Sequence, residues 1–127
     1  MDKINNLTNI TNIKLTSARK SILELLIKAN KPLSYEDMKD NISMDKATFY
    51  RNITIFEEEN LISSFESNDK KRYFEIKKTQ HSHFICSECS KIECIHEKLN
   101  FNLPEYKIEN IIIKGICKTC LNKKKYD

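Results

Sequence analysis

Residues 45–76 read DKATFYRNITIFEEENLISSFESNDKKRYFEI, and the reading of this stretch decides the fold. Its first half carries helix signals. Asp45 is a capping residue type. Phe49, Ile53 and Phe56 recur at helical spacing as an apolar stripe over roughly 46–59. Ala47, Tyr50, Ile53, Thr54 and Glu57 follow one side of the same helix, and Asn60 stops it. The second half switches period. Residues 61–66 (LISSFE) and 71–76 (KRYFEI) are short β-like runs, and Ser67-Asn68-Asp69-Lys70 between them is a turn.

Upstream, Thr16 caps an amphipathic run in which Ile22, Leu23, Leu25, Leu26 and Ile27 are apolar, and Asn30-Lys31-Pro32 ends it. Ser34 with Asp37 three residues later has the form of a capping box and opens a second, shorter helix through about Asn41. Residues 1–13 form a loose arm or a short extra helix. Three helices followed by a hairpin is the order of a winged helix-turn-helix, so residues 1–76 are expected to form a DNA-binding domain with an N-terminal arm. In that architecture the start of the third helix meets base edges in the major groove. Thr48 and Tyr50 can contact bases or phosphates, Arg51 offers a bidentate fork, and Lys46 attracts phosphate. Lys70, Lys71 and Arg72 sit at the hairpin tip, where phosphate contact is natural. The plain alternative is a solvated helix face and a charged turn; the ordered combination of helices and basic hairpin argues against it. The net charge of +4, from 22 basic and 18 acidic side chains, permits nucleic-acid binding without demanding it.

Downstream, residues 77–80 (KKTQ) read as a polar hinge, and residues 81–127 as a small second domain. It alternates β-like runs (His83 to Ile85, Lys91 to Ile95, Ile108 to Lys114) with cysteine pairs. Four of the five cysteines fall in Cys86-Ser-Glu-Cys89 and Cys117-Lys-Thr-Cys120. Two such knuckles brought together offer four sulfurs to a tetrahedral Zn²⁺. A closed site of this kind is structural, because no coordination position is left for substrate. The 27 residues between the pairs are enough for two strands and a connection. A redox function would leave the second CxxC hard to explain. Zinc knuckles often carry Gly after the second Cys; here Ser90 and Leu121 stand there. No nucleophile with a positioned base, no phosphate loop and no open zinc site is visible, so the chain is read as a non-enzyme. It also lacks a transmembrane run and a secretion signal, which points to the cytoplasm.

Residues 15–19 (LTSAR), 46–59 (KATFYRNITIFEEE), 60–62 (NLI), 81–89 (HSHFICSEC) and 115–120 (GICKTC), in that order, resemble the ferric uptake regulator family, from about residue 14 to residue 121. The resemblance implies an α+β protein: a winged-helix repressor domain hinged to a β-rich, zinc-stapled dimerisation domain. It further implies a homodimer on a double-stranded DNA operator, with a regulatory divalent metal near the hinge. Cys86, Cys89, Cys117 and Cys120 match the structural zinc ligands. His81 and His83 match two regulatory ligands, Glu75 matches the ligand at the end of the wing strand, and Tyr50 and Arg51 match the DNA-contacting pair. The regulatory ion would be Fe²⁺, Zn²⁺ or Mn²⁺. By clamping the hinge it would set the spacing of two recognition helices, which must match half-sites about one turn (~34 Å) apart.

The chain departs from the family in four places. Lys31-Pro32 replaces a common histidine. Cys94 stands where a carboxylate is usual, and is expected as a soft fourth ligand beside Glu75, His81 and His83, with His96 or Glu93 as substitutes. Residues 97–107, which contain Pro104, are too short and too broken for the family's long helix. No histidine follows His96, so the family's second site has no counterpart, and the dimer contact falls to the sheet edge and Ile111–Ile113. These departures keep open a second function: a DNA-binding protein with structural zinc only, whose sensing is lost or changed to thiol oxidation at Cys94.

Overall fold

A computed structural model describes residues 13–77, 82–97, 99 and 101–125. The expected arm before Ile13, hinge residues 78–80 and His81 lie outside these residues. The described chain divides into two compact units. One runs to Lys77, less the turn Ser67–Lys70; the other is built from Ser82 onward. The architecture is α+β, as expected.

In the first unit, helix α1 spans Ser17–Ala29. The Thr16 side chain accepts the Arg19 amide at 3.2 Å. Asn30 ends the helix in the left-handed region (φ 52°), a conformation that asparagine tolerates better than most residues. Helix α2, Tyr35–Met38, continues as a 3₁₀ turn over Lys39–Asn41. Both halves of its capping box form: the Asp37 amide donates to Ser34 Oγ at 3.2 Å, and the Ser34 amide donates to Asp37 Oδ2 at 2.9 Å. Aspartate therefore serves where glutamate is usual. Helix α3 spans Lys46–Glu58, with the Thr48 amide donating to Asp45 Oδ1 at 2.8 Å. That hydrogen bond holds the Asp45 carboxyl below its ordinary range, so the cap stays ionised into acid solution.

Strands β2 (Ile62–Glu66) and β3 (Arg72–Ile76) pair antiparallel, Ile62 opposite Ile76 and Glu66 opposite Arg72. Lys70 takes φ 63° in the turn that joins them. A third strand, β1 (Leu33–Ser34), joins the far edge of β3 and was not expected from the sequence. Pro32 favours extended backbone just before it, and Ser34 is at once a strand residue and the cap of α2. One core unites these elements: Ile22, Leu23 and Leu26 of α1, Met38 of α2, Phe49, Ile53 and Phe56 of α3, and Phe74 and Ile76 of β3.

In the second unit, β4 (Ser82–Cys86) is central, with β5 (Ile92–Ile95) antiparallel on one side and β6 (Ile112–Gly115) parallel on the other. A parallel pair needs a long crossover, and residues 96–111 supply it. The described residues of that crossover form no helix, in keeping with the expected loss of the long helix. β6 begins at Ile112, four residues later than the expected run from Ile108. Helix α4, Lys118–Lys125, was also unexpected. It starts inside the second cysteine pair, where the Leu121 amide donates to the Cys117 carbonyl at 2.9 Å.

Candidate metal centre and nucleic-acid interface

The four paired cysteines converge. Cys86 Sγ lies 3.8 Å from Cys120 Sγ, Cys89 Sγ lies 3.8 Å from Cys117 Sγ, and all four sulfurs lie within 4.8 Å of one another. A tetrahedron with Zn–S distances of ~2.3 Å has S···S edges of ~3.8 Å. The spacing is that of a zinc site, and a thiolate set selects a soft or borderline ion over Mg²⁺ or Ca²⁺. Three backbone amides point at Cys86 Sγ, from Cys117 (3.3 Å), Glu88 (3.4 Å) and Cys89 (3.4 Å). The Cys117 amide chiefly, then that of Cys89, lowers the Cys86 thiol to about 6. The Cys117 thiol beside Cys120 and the burial of that site push Cys120 up to about 12. The Cys86 thiolate therefore forms readily while the Cys120 thiol resists ionising. A divalent cation supplies the counter-charge that lets all four ionise.

The two knuckles are joined through the only glycine in the chain. Gly115 pairs with Cys86 across β4 and β6, and its carbonyl accepts both the Ser87 amide (2.7 Å) and the Ser87 hydroxyl (3.1 Å). A Cβ there would meet the Phe84 ring at 3.2 Å, a tight contact that glycine avoids and that a larger residue would relieve only by shifting the ring. The missing knuckle glycines now have separate explanations. Leu121 lies inside α4 and needs no special backbone. Ser90 takes φ 62°, the left-handed conformation a glycine would adopt freely. Ser90→Gly is expected to stabilise the zinc-loaded second unit by about 0.5–1 kcal/mol, seen as a higher urea midpoint; an unchanged or lower midpoint would show that the serine is not strained.

His83 and Cys94 sit directly opposite each other on β4 and β5. Opposed residues share a sheet face. His83 is buried and Cys94 half-buried, and a His83 ring nitrogen lies within 4.8 Å of Cys94 Sγ. Glu93, expected as a substitute ligand, pairs with Phe84 on the opposite face and bonds Lys91 Nζ at 2.6 Å. His96 follows β5 and is exposed. Glu75 lies on β3 of the first unit, paired with Ser63, and is buried. His81 is outside the described residues.

On α3, Phe49, Asn52, Ile53 and Phe56 are buried while Lys46, Ala47, Arg51 and Thr54 are exposed. Tyr50 is half-buried among the rings of Tyr35, Phe49 and Phe74, with centroids 5.9, 5.1 and 6.2 Å away. The Lys46 ammonium stands 5.4 Å over the Tyr35 ring. Arg72 opens β3 beside the wing turn, and its exposed side chain reaches across to α3. Its guanidinium bonds Glu57 at 3.2 and 3.3 Å and lies 5.2 Å over the Phe74 ring, while Ser64 Oγ donates to the same Glu57 at 2.6 Å. The wing is thereby tied to α3. A second tie escaped sequence reasoning. Arg19 Nε donates to the buried Asn52 Oδ1 at 3.0 Å, and another of its nitrogens bonds the Lys14 carbonyl at 2.8 Å. The LTSAR and FYRN motifs are the two ends of one latch; their separation by 33 residues hid it. Among the described residues no helix is long and apolar enough to cross a membrane.

The sequence profile of the ferric uptake regulator family matches residues 10–114. The peroxide-responsive repressor PerR of Staphylococcus saprophyticus is 27% identical over 139 aligned residues, spanning 96% of this chain and 91% of that protein. The ferric uptake regulation protein of Staphylococcus epidermidis is 30% identical over 124, spanning 87% and 88%. The solved structure of the Helicobacter pylori ferric uptake regulator Fur, described as revealing three functional metal binding sites, superposes with a TM-score of 0.70. It covers 94% of this chain and 90% of that one at 22% identity, a likeness of fold.

Proposed function

The chain belongs to the ferric uptake regulator family, and on that footing we propose that it is a metal-responsive DNA-binding transcriptional repressor, active as a cytoplasmic homodimer and without catalytic activity. The observation that carries this reading is the division of α3 into a buried apolar face and an exposed face bearing Lys46, Arg51 and Thr54. That is what a helix needs to be held by its own domain and still enter a major groove. Arg51 reads a base edge or clamps a phosphate. Thr48 and Tyr50 add shorter-range contacts at the helix start. Lys46, Lys70 and Lys71 supply phosphate contacts. Arg72, exposed and bound to Glu57, holds the wing in place and adds a phosphate contact beside them. The exposed apolar side chains of the second unit, Ile113, Ile116 and Leu121 among them, suit burial against a second copy.

The four-cysteine site holds a structural Zn²⁺. A second divalent ion, Fe²⁺, Zn²⁺ or Mn²⁺, is held by His83 with His81 and Glu75, the residues the family resemblance marks, and Cys94 and His96 are the further donors nearest in sequence. Ion binding favours the DNA-competent state by a coupling of ~1–3 kcal/mol. Relatives named for iron and for peroxide both match this chain, so ligand chemistry has to decide between signals.

The test is a duplex selected from a random-sequence library by the metal-loaded protein, followed by fluorescence anisotropy. Arg51→Ala is expected to weaken binding to the selected duplex by about 10–100-fold, or 1–3 kcal/mol. Lys70→Ala is expected to weaken all duplexes alike and to reduce the salt slope by about one. Undiminished binding by the Arg51 variant would contradict the assignment of α3 as the reading helix.

A further inference from the structure

Taking the proposed regulatory site as its starting point, we propose that Cys94 is a direct sulfur ligand of the regulatory ion, so that this protein responds to a thiophilic divalent ion, Zn²⁺ foremost, in preference to Mn²⁺.

Register comes first. The pairs Ser82–Ile95, His83–Cys94, Phe84–Glu93 and Ile85–Ile92 fix Cys94 directly across from His83. A slip of one residue would place Glu93 there and an oxygen donor with it. The slip is prevented by the knuckle that joins the strands. The Cys86 amide donates to the Lys91 carbonyl, and the Ser90 amide donates to the Cys86 carbonyl, both at 3.0 Å. The same turn that presents two sulfurs to the structural zinc thus sets which side chain faces His83.

Donor chemistry comes second. A ring nitrogen and a thiol sulfur already within 4.8 Å need only modest rotamer adjustment to meet one ion. Along these two strands the next opposed pair on the same face is apolar, Ile85 with Ile92, and Ile85 is fully buried. The nearest carboxylate on β5, Glu93, is turned to the other face and engaged with Lys91. The second unit therefore offers nitrogen and sulfur here, and no carboxylate from these two strands. Imidazole plus thiolate suits Zn²⁺ or Co²⁺, whereas Mn²⁺ favours oxygen. On binding, the Cys94 S–H bond breaks, a metal–sulfur bond forms, and one proton passes to solvent; no electron is transferred.

Cobalt provides the test. The full-length protein, carrying one zinc per chain in its four-cysteine site, is titrated with Co²⁺ while retained zinc is measured. The expected result is one further Co²⁺ per chain with a thiolate-to-cobalt charge-transfer band, lost in Cys94→Ser at unchanged zinc content. Cys94→Asp should also narrow the preference for Zn²⁺ over Mn²⁺ by at least about tenfold. Uptake of Co²⁺ without the band, or a band that survives Cys94→Ser, would overturn the sulfur ligand and leave the regulatory site standing. Failure to take up any second ion would overturn both.

Discussion

Cys89→Ser is expected to strip the second unit of its zinc and unfold it, leaving the first unit folded. Structural zinc contributes an apparent ~10–16 kcal/mol to domains of this size, and the second unit has little else. Among its described residues the fully buried side chains are few, Ile85 and Cys86 chief among them. Two parallel strands run into the four-cysteine site at one end of its sheet, because Cys86 ends β4 and Cys117 lies just beyond β6. Serine keeps the shape of the side chain but presents no thiolate, so three sulfurs would remain where the geometry is built for four. Elemental analysis should find well under one zinc per chain, and circular dichroism should show the β signal reduced while the helical signal of α1 and α3 persists. Since the exposed apolar residues proposed for dimer contact lie in this unit, sedimentation should show monomer. A variant that kept one zinc and a stable dimer would refute the structural assignment of the site.

The second large effect falls on the first unit. Phe49→Ala is expected to cost about 3–5 kcal/mol, the usual range for emptying an aromatic site in a core. Phe49 is fully buried, with the rings of Tyr35, Tyr50 and Phe74 at 5.0, 5.1 and 5.8 Å. These neighbours come from α2, α3 and β3, so they cannot collapse together into the space without moving the reading helix against the wing. Against a total stability of ~5–15 kcal/mol for a domain, that loss leaves the unit marginal. Urea unfolding should show it directly. Tyr50, which leans on Phe49, would lose its backing, and DNA affinity should fall even where the unit remains folded. A loss under about 1 kcal/mol would mean that the ring is not the keystone of this cluster.

Legibility in the sequence followed the range of the interactions. The caps at Thr16, Ser34 and Asp45 and the stops at Asn30 and Asn60 act within four residues, and they gave α1, α2 and α3 nearly to the residue. The hairpin 62–76 was equally plain, because period-two runs flank a four-residue turn. β1 escaped, since its two residues are a strand only by virtue of β3, some forty residues on. α4 escaped for another reason. KTCLNKKK has almost no apolar periodicity, and the helix is organised by the cysteine knuckle it grows from. At the metal centre the CxxC spacing alone identified the four sulfurs. The alternation of Ile92, Cys94 and His96 put Cys94 on a face without saying what stood opposite; the hairpin register supplied His83. The place of Arg72 beside the wing turn was legible, but its bond to the carboxylate of Glu57, 15 positions away, was not.

The most direct trial of the whole account is DNA affinity measured as a function of the second metal ion, with the first held constant. Protein containing one zinc per chain is bound to its selected duplex with and without further Zn²⁺, and bound zinc is counted in each sample. The expected result is a second ion per chain and affinity tightened by about 5–150-fold, abolished by His83→Ala. Equal affinity in both samples, with the second ion demonstrably bound, would contradict the account and leave only a DNA binder stapled by zinc.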